Sequence, residues 1–180
     1  MRIGVLISGR GSNLQSLIKA QLEGRLSAEI VMVISNVPNA EGLKKAVSSK
    51  IPHQVINHNE FANAKEFDDA LHKALTSAGA ELICLAGFMR ILGDGFIAKW
   101  PNRIINVHPS LLPSFKGLHT HERALEAGVC FTGCTIHFVR PSVDEGPIIL
   151  QAVVPTFPDD TAEKLANRVL QQEHVIYPLS

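Results

Sequence analysis

Short apolar runs alternate with helix-period segments along the first part of the chain, and that alternation constrains the fold more than any other feature. The runs IGVLI (3–7), IVMVI (30–34), QVI (54–56), LICLA (82–86) and RIINV (103–107) are spaced widely enough for crossover helices between them. Strands joined in that way lie parallel with both faces covered, so the pattern predicts a doubly wound, mostly parallel α/β sheet. Beyond residue 128 the pattern changes. FTGCTIHFV (131–139) and PIILQAVV (147–154) are joined by a short turn-rich stretch, which predicts a late antiparallel strand pair. A last helix is expected from Asp160, with Ala162, Leu165, Val169 and Ile176 near one face.

The chain has 180 residues without repeats, low-complexity tracts or a linker, so residues 1–180 are expected to form a single domain. Its 17 Lys and Arg balance 17 Asp and Glu, and a chain of zero net charge has no electrostatic pull toward nucleic acid or an anionic membrane. Any anion must be caught by a local site. Three cysteines, Cys84, Cys130 and Cys134, form neither a CxxC nor a disulfide framework, which fits a reducing compartment. The sequence opens on a strand, and no apolar run approaches the roughly 20 residues a membrane span requires. A cytoplasmic protein without a membrane partner is expected.

The stretch VLISGRGSNLQSLI (5–18) runs a strand through a glycine-rich turn into a helix. Leu14, Leu17, Ile18 and Leu22 recur at helical spacing, Ser12 and Gln15 have the spacing of a capping box, and Gly24 can close the helix. A dinucleotide fingerprint is missing, because Gly9 and Gly11 are followed by Leu14 and the second strand ends in Ser35 and Asn36. No GK[ST] follows, so a triphosphate loop is excluded as well. Two readings remain for the turn. It holds a single phosphate on the N–H groups at a helix N-terminus, with Ser12 and Asn13, or it is a tight turn without a ligand.

In NVHPSLLPSFKG (106–117), Asn106 and His108 alternate at the end of a predicted parallel strand, so both side chains point the same way, where open α/β sheets place their ligands. An amide can hydrogen-bond a developing oxyanion, and an imidazole can move a proton at neutral pH. The pair also fits a plain strand end. Asp144, in RPSVDEGP (140–147), is either a solvated turn residue or a carboxylate close enough to His108 to raise its pKa. His119 and His121 lack a third ligand at a recognisable spacing and read as loop or helix-start residues.

Together, ISGRGSNLQ, LAGFMRIL, NVHPSLLPSFKG and VDEGPIILQ stand in the order and spacing of the phosphoribosylglycinamide formyltransferases, which the chain resembles over essentially its whole length. The resemblance implies a single-domain, Rossmann-like formyltransferase fold. It also implies transfer of a formyl group from 10-formyltetrahydrofolate, as co-substrate, to the amine of glycinamide ribonucleotide in purine synthesis, with no metal. Carried over by position, it puts the substrate phosphate on Gly11, Ser12 and Asn13 and gives Glu173 a grip on the far end of the ribonucleotide. The pterin falls to the backbone of Met89, Arg90, Ile91 and Leu92 together with Asn106, and the catalytic set to Asn106, His108 and Asp144. Whether Lys65 contacts folate stays open. The implied partners are the two small molecules, with the protein a monomer or homodimer. A formyltetrahydrofolate hydrolase, another folate formyltransferase and a non-catalytic nucleotide-binding module remain as alternatives.

Overall fold

The computed structural model describes all 180 residues. Its first compact unit is Met1–Ile105 and its second Asn106–Ser180. The strands are β1 (Arg2–Ile7), β2 (Glu29–Ser35), β3 (His53–Val55), β4 (Leu82–Leu85), β5 (Ile104–His108), β6 (Phe131–Phe138) and β7 (Ile148–Pro155). They form one sheet in the order β3-β2-β1-β4-β5-β6-β7. The α/β class and the late antiparallel pair therefore agree with the sequence reading.

In the first unit β1 is the centre. It pairs in parallel with β2 on one side and with β4 on the other, Val5 lying opposite Val33 and Cys84. Ile3, Val5, Leu6 and Ile7 are buried in succession, as expected of a strand covered on both faces. The covering helices are α1 (Ser12–Leu22), α2 (Glu41–Ser48), α3 (Ala64–Ser77) and α4 (Asp94–Lys99). Leu14, Leu17 and Ile18 of α1 are buried, each stabilising by about 1.5–3 kcal/mol if fully withdrawn from water. Helix α1 ends as the sequence predicts: Gly24 is left-handed, its N–H donates to the Gln21 carbonyl and Arg25 N–H to that of Ala20, the two bonds of a Schellman motif.

Its start differs from expectation. The residue before the helix is Gly11, in the left-handed region at φ 68°, and no side chain caps the first turn. Ser12 and Gln15 therefore form no capping box, and Gln15 instead accepts from Lys45 Nζ at 3.3 Å. Glycine is required here twice over: its φ is unfavourable for other residues, and a Cβ would lie 2.6 Å from the Gly42 Cα.

The second unit begins inside β5 and continues through α5 (Thr120–Glu126), the antiparallel β6–β7 pair and α6 (Ala162–Ile176). Thr161 caps α6, one residue beyond the expected start, by accepting from Lys164 N–H. Leu165, Val169, Glu173 and Ile176 form its buried face, while Ala162 is half-buried.

Candidate active site

The order β2-β1-β4 places the topological switch point of the first unit between β1 and β4, because the chain winds outward from β1 in one direction and resumes on its other side. Ligands of open α/β sheets bind in the crevice beyond the strand ends at such a point. Two of the sequence-predicted segments leave the sheet there. The turn Gly9–Asn13 follows β1, and residues 86–92 follow β4. A cavity of about 320 Å³ lies between them, lined by Ser8 to Asn13 with Ala86, Gly87 and Met89. A larger one, about 640 Å³ at the β3 edge against α3, is lined by none of the predicted site residues.

Gly11 and Asn13 are buried and Ser12 is half-buried, so the turn presents mainly backbone at the N-terminus of α1. The dipole of α1 makes that end suitable for an anion. Across the cavity Met89 and Ile91 are 69% and 78% exposed, Arg90 is exposed, and Leu92 alone is buried. The turn and this segment are tied together by Ser8, whose hydroxyl donates to Asn36 Oδ1 and accepts from Met89 N–H at 2.7 Å. Asn36, 2% exposed, extends the network to His58. Ser8 escaped the sequence reading because a serine at a strand end carries no signal by itself.

In the second unit the sequence-predicted Asn106, His108 and Asp144 come together, with a fourth member. His108, on β5, is 5% exposed. Its Nε2–H donates to the Phe115 carbonyl at 3.0 Å, and its Nδ1 lies 3.3 Å from Asp144 Oδ2. Asp144 has φ 55°, and the same carboxylate oxygen accepts from Gly117 N–H at 2.9 Å. The other oxygen is 3.6 Å from His137 Nε2, and that nitrogen lies 3.3 Å from Asn106 Nδ2. His137 Nδ1 faces the Phe138 carbonyl at 3.0 Å. His137 was not singled out from the sequence. Its signal was the two-residue spacing of polar Thr135 and His137 on one face of the strand, both buried, at 0% and 2% exposed.

Thr135 fixes the loop after β5. Its hydroxyl donates to the Ser110 carbonyl at 2.7 Å and accepts from Leu112 N–H at 3.0 Å and Gln151 Nε2 at 2.9 Å. All its hydrogen-bonding capacity is used in holding residues 110–112.

The electrostatics depart from expectation at one point. Burial pushes the His108 imidazole down, and this outweighs the upward pull of the Phe115 carbonyl and of Asp144. The net direction is below the ordinary histidine value, not above it. Asp144 moves the other way for a carboxyl in a buried place. Burial pushes it up, but His137, the Gly117 N–H and the charge of His108 together hold it below the usual carboxylate range. The resting pair is thus poised: acceptors face both His108 nitrogens, so only the cation satisfies both contacts, while desolvation opposes the charge.

Glu173 is 6% exposed on α6, and its charge, with burial as the larger cause, pushes the Cys134 thiol up to about 12. That thiol is no nucleophile. His119 is the left-handed residue before α5 and lies 3.9 Å from Glu122. Lys65 pairs with Asp69 on α3. No group of three or more His, Cys, Asp or Glu side chains is placed to hold a metal ion, and no helix is long and apolar enough to cross a membrane.

A mostly parallel sheet with a glycine-rich turn at its switch point and an amide, imidazole and carboxylate set at a strand end suits the acyl-group transferase class, and the comparisons agree. The formyl transferase family model matches residues 1–180, and the chain belongs to that family. Within it, the likeness runs to the phosphoribosylglycinamide formyltransferases. That of Haemophilus influenzae is 47% identical over 178 residues, covering 99% of this chain and 84% of that protein. Glycinamide ribonucleotide transformylase 1 of Symbiobacterium toebii superposes with a TM-score of 0.98 at 46% identity, over 99% of this chain and 84% of that one. The human trifunctional purine biosynthetic protein adenosine-3 is 52% identical over 177 residues. The chain is 98% covered in that match but spans only 18% of the human protein's length.

Proposed function

We propose that this chain transfers the formyl group of 10-formyltetrahydrofolate to the primary amine of glycinamide ribonucleotide in purine biosynthesis, acting in the cytoplasm as a single formyltransferase domain over residues 1–180, monomeric or homodimeric. The observation that carries the reading is the chain of polar contacts through Asn106, His137, Asp144 and His108 at the end of β5, each within 3.6 Å of the next. In this reading the N–H groups of Gly11, Ser12 and Asn13 hold the substrate phosphate and Glu173 grips the far end of the ribonucleotide. The backbone of Met89, Arg90, Ile91 and Leu92 receives the pterin, and Asn106 reaches the formyl group.

Attack of the amine forms a C–N bond to the formyl carbon and drives the carbonyl electrons onto oxygen. The Asn106 amide and the charge on protonated His108 stabilise that oxyanion. The attacking amine loses a proton and the folate nitrogen gains one before the old C–N bond breaks. His108 serves this exchange because Asp144 favours the cation that forms as the ring takes a proton, while burial, the larger effect in the free chain, returns it to the neutral form. Its Nε2–H, held by the Phe115 carbonyl in the free chain, is the donor that passes to substrate.

The test is an assay of the purified chain with 10-formyltetrahydrofolate, with and without glycinamide ribonucleotide, following tetrahydrofolate. Turnover that requires the ribonucleotide supports the reading; turnover without it points to a hydrolase, and none at all to a non-catalytic module.

A further inference from the structure

Asp68 is the buried acidic group that the proposed chemistry leaves unused. It sits on the inward face of α3 among Phe67, Leu71 and Leu75 and is 6% exposed. Its neighbour Asp69 takes both nearby lysines, Lys65 and Lys99, in exposed ion pairs. Asp68 has none. One of its oxygens, Oδ2, accepts from Gly93 N–H at 2.9 Å; the other is buried with no hydrogen-bond partner. Burial pushes this carboxyl up against the pull of the Gly93 bond. A carboxylate so placed is a poor way to stabilise a helix face, since an apolar residue would fill the site without the desolvation cost.

Its contact is better explained by what Gly93 terminates. Residues 86–93 cross from β4 to α4 without regular structure; the Gly87 carbonyl accepts from Ser8 N–H at 3.2 Å, and three N–H groups of the segment are also held. Ala86 N–H donates to the Leu6 carbonyl, Met89 N–H to Ser8 Oγ and Gly93 N–H to Asp68 Oδ2. The Phe88 ring is also stacked on Phe67, at 6.5 Å between centroids and 8° between planes. Adjacent residues of α3, Phe67 and Asp68, thus hold the two ends of the stretch that contains Arg90, Ile91 and Leu92. Gly93 fits the arrangement closely, because a Cβ there would stand 2.8 Å from Asp68 Oδ2.

We propose that Asp68 is a positioning residue for the folate co-substrate, fixing the far end of the 88–92 segment through Gly93 so that its backbone is set for the pterin before the ligand arrives. This rests on the reading above that residues 89–92 receive the folate. Preorganisation of this kind acts on one substrate only: it lowers the ordering cost of folate binding and leaves the phosphate turn as it was.

The experiment is steady-state kinetics of the full chain and three variants, with thermal melts to establish folding. Asp68→Ala removes the acceptor and should raise KM for 10-formyltetrahydrofolate roughly tenfold, equal to about 1.4 kcal/mol, while KM for the ribonucleotide and kcat stay within about twofold. Asp68→Asn keeps an oxygen for Gly93 N–H and should recover most of that loss. Gly93→Ala, which leaves Asp68 in place and presses a methyl against it, should reproduce the folate-specific rise and carries the test if Asp68→Ala does not fold. Unchanged folate KM in both Asp68→Ala and Gly93→Ala, or equal rises for both substrates, overturns the proposal alone. Failure of the unaltered chain to use 10-formyltetrahydrofolate overturns the functional reading, and this inference with it.

Discussion

His108 and Asp144 carry the sharpest expectation at the residue scale. Asp144 pulls the imidazole toward its charged form and burial pushes it away, with burial the larger. Asp144→Asn removes the pull and keeps the shape, so the His108 titration, followed by NMR, should move to still lower pH. Activity near neutrality should fall sharply in that variant and in His108→Ala, with the double variant little worse than either, because groups acting as a unit are non-additive. An unmoved titration with additive rate losses would show that Asp144 acts independently. The resemblance placed Asn106, His108 and Asp144 in one set and had the right sign for the pull of Asp144 on the imidazole, but not the larger opposing effect of burial. The motif left Asp144 open between a solvated turn and a partner of His108, and only the resemblance joined them; the depth of burial, which decides the balance, is a property of the packed chain. His137 was missed for a related reason, since a histidine in a strand looks alike whether it faces solvent or an asparagine amide.

At the scale of elements, two connections set the site. The first is the turn into α1. Gly11→Ala meets both a left-handed φ and the Gly42 backbone, and should cost about 1–3 kcal/mol in denaturant unfolding beside weakening ribonucleotide binding. Asn13→Leu, which spares Gly11, should weaken ribonucleotide binding far more than folate binding in calorimetry; equal losses would count against phosphate capture by this turn. The second is the loop after β5. Thr135→Val leaves Leu112 N–H and the Gln151 amide without their shared acceptor and should destabilise by about 1–3 kcal/mol. Strand positions were legible to within about one residue because buried parallel strands are written as apolar runs. The capping box at Ser12 was not, because a left-handed Gly11 takes the capping position and turns the chain before the serine side chain can serve. The Schellman end at Gly24 was legible, since glycine is the residue that conformation requires.

For the whole molecule, the same buried groups link stability to pH. Burial lowers both His108 and His121 below the ordinary value of 6.5, so the folded state prefers them neutral. Their contribution is complete above the unfolded pKa and is lost as pH falls through the folded one. Asp144, held below its ordinary 3.8, adds a second contribution, present above that value and lost only at lower pH. Melting temperature should therefore begin to fall as pH drops below about 6.5, and His121→Gln should flatten part of that first decline. A melting temperature that stays level between pH 7 and 5, taken as roughly the histidine range, would contradict the burial argument.

The central claim is that the chain moves one formyl group between two small molecules. It is tested most directly by incubating the protein with 10-formyltetrahydrofolate labelled with carbon-13 in the formyl group and following the label by mass spectrometry in the presence of glycinamide ribonucleotide. One labelled formyl on the ribonucleotide amine is expected for each tetrahydrofolate released, with that transfer lost in His108→Ala. Label recovered as free formate, with the ribonucleotide unchanged, would contradict it.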